Sequence, residues 1–111
     1  MIDLKALIDD AAARNASDIH LTVGLPPVLR VDGALENAGE EPLDEEDALA
    51  AAKQLATEEQ LEELAQVGEI DFAVTFQGVI RMRCNIYRQQ GHTALALRLL
   101  PLTIPLSLIH I

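Results

Sequence analysis

Residues 15 to 35, NASDIHLTVGLPPVLRVDGAL, decide the fold, because within this stretch a helix ends, a strand runs, a proline corner turns and a second strand reaches an Asp-Gly turn. In Asp18-Ile19-His20-Leu21-Thr22-Val23 apolar and polar residues alternate strictly. Ile19, Leu21 and Val23 therefore share one face and Asp18, His20 and Thr22 the other, the pattern of a half-buried strand. Gly24-Leu25-Pro26-Pro27 cannot continue a ladder, since the two prolines lack the N–H, so Val28 to Val31 reads as a new strand. Asp32-Gly33 supplies the positive φ angles of a tight hairpin.

Working outward, residues 3 to 14 place Leu4, Leu7, Ile8 and Ala11 at helical spacing, an amphipathic helix that Asn15 can stop in the left-handed region. Downstream of the hairpin, Glu36 to Glu41 has no period and reads as a polar loop. Two short helices follow. Asp44 is a good N-cap with Glu45, Glu46 and Asp47 at the positive end of the dipole, and Leu43 can staple onto Ala48. Thr57 with Gln60 forms a capping box for the second helix, which Gly68 ends.

From Glu69 the period becomes two. Ile70, Phe72, Val74 and Phe76 alternate with polar or small residues, as do Ile80, Met82, Cys84 and Ile86, and a further strand carries Leu95, Leu97 and Leu99 opposite Ala94, Ala96 and Arg98. The fold class is α+β: an antiparallel sheet of about six strands, one N-terminal helix and two short helices in the middle. A chain of 111 residues is one domain that buries roughly two thirds of its extended surface, with an aliphatic core whose largest pieces are Phe72 and Phe76.

Register follows from parity, because opposed residues point to the same side of a sheet. A three-residue connection, Gln77 to Val79, puts Thr75 opposite Arg81, Ala73 opposite Arg83 and Asp71 opposite Asn85. A two-residue Gln90-Gly91 loop, or a four-residue loop 89 to 92, then puts Arg83 opposite Arg98. Opposed like charges destabilise a sheet by roughly 0.2–1 kcal/mol unless an anion or an acid lies between them. Arg81, Arg83 and Arg98, flanked by Ala73, Ala94 and Ala96, suit bidentate binding of phosphate or carboxylate; alternatively Asp71 and acids of the helical segment neutralise them within the domain.

A net charge of −10 argues against nucleic acid or an anionic membrane as the main partner. The charge is polarised: residues 36 to 71 hold thirteen acids against Lys53 alone, and residues 72 to 111 hold four arginines and no acid. The acids lack calcium-loop spacing and read as caps and solvated helix surface. Cys84 is the only cysteine, so no internal disulfide forms, and a buried inert thiol is expected. His20 reads as a hydrogen-bonded structural histidine rather than half of a catalytic pair with Asp18, and with His92 in a turn and His110 near the end a three-His metal site is unsupported. No signal peptide is evident, the final PLTIPLSLIHI is too short and proline-broken to span a bilayer, and a cytoplasmic location is expected.

Two blocks of the chain resemble the first domain of the PilT family, the retraction ATPases of bacterial type IV pili and twitching motility. Ala16-Ser17-Asp18-Ile19-His20-Leu21, Gly24-Leu25-Pro26-Pro27 and Arg30-Val31-Asp32-Gly33 resemble its A-S-D-[IL]-H-L…G-x-P-P…R-x-D-G pattern. GVIRMRCNIYRQQG, residues 78 to 91, resembles its G-x-x-R-x-R-x-N-x-[FY] strand, with Arg81, Arg83, Asn85 and Tyr87 on the motif positions, and Arg98 falls where the next strand carries an arginine. The resemblance implies a PAS-like domain over residues 1–105 of a hexameric pilus or secretion ATPase. That domain would pack on a neighbouring subunit, with Arg81, Arg83 and Arg98 facing ATP phosphates as arginine fingers. It implies ATP and Mg2+ in the full-length parent, platform proteins of the inner membrane as partners, and a position peripheral to that membrane. G-x-x-x-x-G-K-[ST] is absent from this chain, so no cofactor and no ATP hydrolysis are expected of it alone. Residues 106–111 depart from the acidic, glycine-containing sequence usual in the family and read as a truncated or foreign tail. Rival readings are a freestanding PAS-like sensor for a small acidic ligand and a structural adaptor.

Overall fold

A computed structural model describes residues 3–76 and 80–100. Asp3 caps helix α1 (Leu4–Ala13) by accepting from the Ala6 N–H, and Asn15 (φ 57°) turns the chain into β1 (Ala16–Thr22). Beyond the proline corner β2 (Val28–Val31) and β3 (Ala34–Asn37) form a hairpin on Asp32 (φ 51°) and Gly33 (φ 81°), both left-handed as a type I′ turn requires. Helices α2 (Glu45–Leu55) and α3 (Glu58–Val67) start at the Asp44–Asp47 and Thr57–Gln60 capping boxes, and Gly68 (φ 95°) ends α3. Strands β4 (Glu69–Phe76), β5 (Ile80–Gln89) and β6 (His92–Leu100) complete the described chain.

The six strands form one sheet in the order β3-β2-β1-β6-β5-β4, antiparallel at every step. Two three-stranded meanders thus join where β1 meets β6. Helix α1 lies on β1, α2 on β6, and α3 on β4 and β5. The core sits between helices and sheet: Leu4 and Ile8 of α1 meet Ile19, Leu21, Leu29, Met82, Cys84, Ile86, Leu95 and Leu97, all buried. Among the described residues no helix lies over the other sheet face, and there the polar residues of the alternating strands are displayed.

Every register derived from parity holds: Thr75 faces Arg81, Ala73 faces Arg83, Asp71 faces Asn85, and Arg83 faces Arg98. The β5–β6 turn is the two-residue form, Gln90 (φ 52°) and Gly91 (φ 82°). Gln77 to Val79 and the tail 106–111 lie outside the described residues. Two expectations need correction. Glu36 and Asn37 belong to β3 rather than to a loop; all four β3 residues are exposed, so no burial period marks the strand. Phe72 and Phe76 are only half-buried, because β4 is an edge strand, and the fully buried large side chains are Leu, Ile and Met.

Candidate functional site

The exposed sheet face carries a row of charged residues. Successive cross-strand partners place Arg30 of β2 beside Asp18 of β1, Asp18 beside Arg98 of β6, Arg98 beside Arg83 of β5, and Arg83 beside Ala73 of β4. Three arginines thus share one line with a single acid. Asp71 reaches into the line from the next position of β4, one step diagonal from Arg83, a separation that long side chains bridge.

The Arg83 Nε donates to Asp71 Oδ1 at 3.1 Å and Nη2 donates to Oδ2 at 3.2 Å, a two-pronged pair. The Asp71 carboxylate pushes the Arg83 guanidinium further toward the charged form. The Arg98 Nε donates to Asp18 Oδ1 at 3.3 Å, and the Ser17 hydroxyl donates to the same carboxylate at 2.7 Å. Burial alone would raise the Asp18 carboxyl, but the Ser17 and Arg98 hydrogen bonds and the charges of Arg98 and His20 outweigh it and hold it below the usual range. Arg81 donates to the Thr75 hydroxyl at 3.3 Å, and Asn85 Nδ2 donates to Glu69 Oε1 at 2.9 Å. Between these groups lies an open concavity of about 320 Å³ floored by Ala96 and Leu97 and walled by Asp18, His20, Asp71, Arg83, Asn85 and Arg98.

The two readings of the arginines therefore meet in one place. Arg83 and Arg98 do oppose each other, and internal acids do pair with them. Asp71 belongs to the sequence reading; Asp18 as the partner of Arg98 does not, because it depends on β1 pairing with β6, eighty residues along the chain. Among the described residues Arg30 makes no side-chain ion pair, and it stands at the exposed end of the row. His20 is half-buried beside Ala96, and its imidazole makes no hydrogen bond among the described residues, which corrects the expected hydrogen-bonded role. Tyr87 faces Glu69 and Ala94, one row from the concavity. Asp32 and Gly33 serve the β2–β3 turn, remote from the concavity.

A second polar cluster, absent from the sequence reading, sits on the helix side. The Glu45 carboxylate accepts from the Thr93 N–H at 2.9 Å and from the Thr93 hydroxyl at 2.8 Å. Arg88 donates to the same hydroxyl at 3.3 Å and to the Gly91 carbonyl at 3.0 Å, and His92 Nδ1 stands 3.5 Å from Glu45. Burial works to raise the Glu45 carboxyl, yet the two Thr93 hydrogen bonds with Arg88 and His92 keep it below its ordinary value. Thr93 is fully buried, so Glu45 satisfies polar groups that water cannot reach. Cys84 is buried as expected, and burial, aided by Asp71, pushes its thiol up to about 12. Among the described residues no three His, Cys, Asp or Glu side chains gather as a metal site, and no helix is long and apolar enough to cross a membrane.

The described residues thus form an α+β domain with helices on one sheet face and arginines displayed on the other. No family model matches the chain. It is 31% identical over 100 residues to the type IV pilus retraction ATPase PilT of Pseudomonas aeruginosa, covering 90% of this chain and 29% of that protein. The crystal structure of the pilus retraction motor PilT with bound ADP superposes with a TM-score of 0.84 at 38% identity, over 95% of this chain and 31% of that one. The Legionella pneumophila ATPase DotB shares the fold at a TM-score of 0.76 and 24% identity, over 92% of this chain and 29% of that one. The chain is a relative of the N-terminal domain of the PilT-family ATPases and spans less than a third of their length.

Proposed function

We propose that the chain is the N-terminal domain of a hexameric type IV pilus retraction ATPase. In this reading residues 1–105 form a PAS-like domain that packs on the nucleotide-binding domain of a neighbouring subunit. Arg81, Arg83 and Arg98 then look toward ATP phosphates held, with Mg2+, by that second domain, while Asn85 and Tyr87 support the strand that carries them. The motor works in the cytoplasm against platform proteins of the inner membrane. The observation that supports the reading best is the direct opposition of Arg83 and Arg98 on the sheet face opposite helices α1, α2 and α3, in a chain similar to PilT over nine-tenths of its length. Two guanidiniums brought together at a surface stabilise the charge of a phosphoryl group in transfer, the role that arginine fingers fill in such enzymes.

The test is Arg83→Ala made both in this chain and in the ATPase that carries it. Arg83 and Asp71 are both well exposed, with side chains 65% and 44% accessible, so their pair contributes little to folding, and removing Arg83 also relieves its repulsion with Arg98. The thermal midpoint of the chain is expected to stay unchanged or rise, while ATP turnover of the motor falls roughly tenfold or more. A lower midpoint with unchanged turnover assigns Arg83 to the fold and overturns the reading in favour of an adaptor.

A further inference from the structure

Across β4, β5, β6 and β1 the charged groups follow one another as Asp71, Arg83, Arg98, Asp18: acid, cation, cation, acid. The acids occupy the outer places, and the two like charges face each other in the middle, beside the open concavity over Ala96. A carboxylate lying between the arginines would have served neutralisation better. The outer acids instead engage each cation from the flank and leave the centre of the row without an anion of its own.

The two halves differ. Asp18 is largely shielded, 16% accessible, and is fixed by the Ser17 hydroxyl as well as by Arg98. Asp71 is 44% accessible and is hydrogen-bonded only by Arg83 among the described residues. Water can replace Arg83 at Asp71 at little cost, since solvent already reaches both groups. The same replacement at Asp18 would strip a shielded carboxylate of a partner.

We propose that the row is a self-competing anion site: a phosphate-group anion binds between Arg83 and Arg98, Arg83 releases Asp71 to reach it, and Arg98 stays on Asp18, which holds it in place. Asp71 is then the internal competitor that sets how tightly the anion is held, and Asp18 is a positioning residue. The inference rests on the phosphate-facing reading of these arginines and adds to it the regulation of that site.

The experiment titrates the 111-residue chain with inorganic pyrophosphate at constant ionic strength and follows the arginine Nε–Hε signals by NMR. The Arg83 signal is expected to move further than that of Arg98, because only Arg83 changes partners. Asp71→Asn is expected to bind pyrophosphate roughly two- to fivefold more tightly, the range set by loss of one exposed competing pair. Glu62→Gln, which removes one negative charge from α3 on the helix side, is expected to leave affinity unchanged, and Asp18→Asn not to tighten it. An equal gain in Glu62→Gln reduces the effect to net charge and overturns the exchange, as does unchanged or weaker binding in Asp71→Asn. An equal gain in Asp18→Asn overturns the division of roles. Absence of pyrophosphate binding in every variant overturns the site in the chain alone, whereas the motor reading is judged separately by ATP turnover of Arg83→Ala.

Discussion

Glu45 and Thr93 lie forty-eight residues apart and meet in a part-buried contact in which the carboxylate serves a fully buried threonine. Removing the carboxylate leaves the buried Thr93 N–H without its acceptor, so Glu45→Ala is expected to destabilise the chain by about 1–3 kcal/mol at neutral pH. The pH dependence has a definite sign. A carboxyl held below its ordinary value in the folded chain contributes stability that is full above that value and is lost as pH falls through the folded value. The gap between Glu45→Ala and the parent chain should therefore close on acidification below about pH 4.5, where the unfolded carboxyl begins to take up its proton. Urea titrations at several pH values measure this, and a gap that is constant down to pH 3 would contradict it. Nothing in the sequence announces this contact. Glu45 reads as a dipole-compensating acid at a helix start, which it also is, and Thr93 as an ordinary strand residue. Their meeting depends on how α2 lies on β6, a tertiary fact without a local signal.

At the level of elements, local chemistry was sufficient wherever a strong rule operated. The Asp44 N-cap, the Thr57–Gln60 capping box, the left-handed Asn15 and Gly68, and the Asp-Gly turn are visible in the sequence because each satisfies a backbone requirement with neighbouring residues, whereas the reciprocal bond from Asp47 that makes the Asp44 cap a box is seen only in the structure. Register among β4, β5 and β6 was legible because two buried faces leave one parity. Strand β3 was not, since no face of it is buried and only the ladder with β2 marks it. The two hairpin turns also differ in a way that can be measured. Asp32 suits the left-handed region, whereas Gln90 adopts φ 52° with no short side chain to make it favourable. Gln90→Asn is expected to stabilise the chain by about 0.5–1 kcal/mol, raising the urea midpoint at unchanged slope. An unchanged midpoint would mean that Gln90 carries no strain at this turn.

For the whole molecule, charge separation is the dominant electrostatic fact. The acids concentrate in the helical segment and the arginines in the last strands, around a net charge of −10. The described ion pairs are largely solvent-accessible, so salt costs little by screening them, whereas it relieves repulsion among the acids of α2 and α3. The thermal midpoint is accordingly expected to rise by a few degrees between roughly 0.02 and 0.5 M sodium chloride, as scanning fluorimetry with an extrinsic dye can show. A fall would mean that the ion pairs outweigh the repulsion. The join between the two meanders has a consequence in time. Strands β1 and β6 are central neighbours in space, yet Asp18 and Arg98 come from opposite ends of the described chain. During synthesis α1, the first hairpin, α2 and α3 all leave the ribosome before the strand that must lie beside β1 exists. Until β6 has emerged, the edge of β1 that it covers keeps its backbone N–H and C=O groups unpaired by that strand, so the sheet of the described residues cannot close before Leu100 has been made.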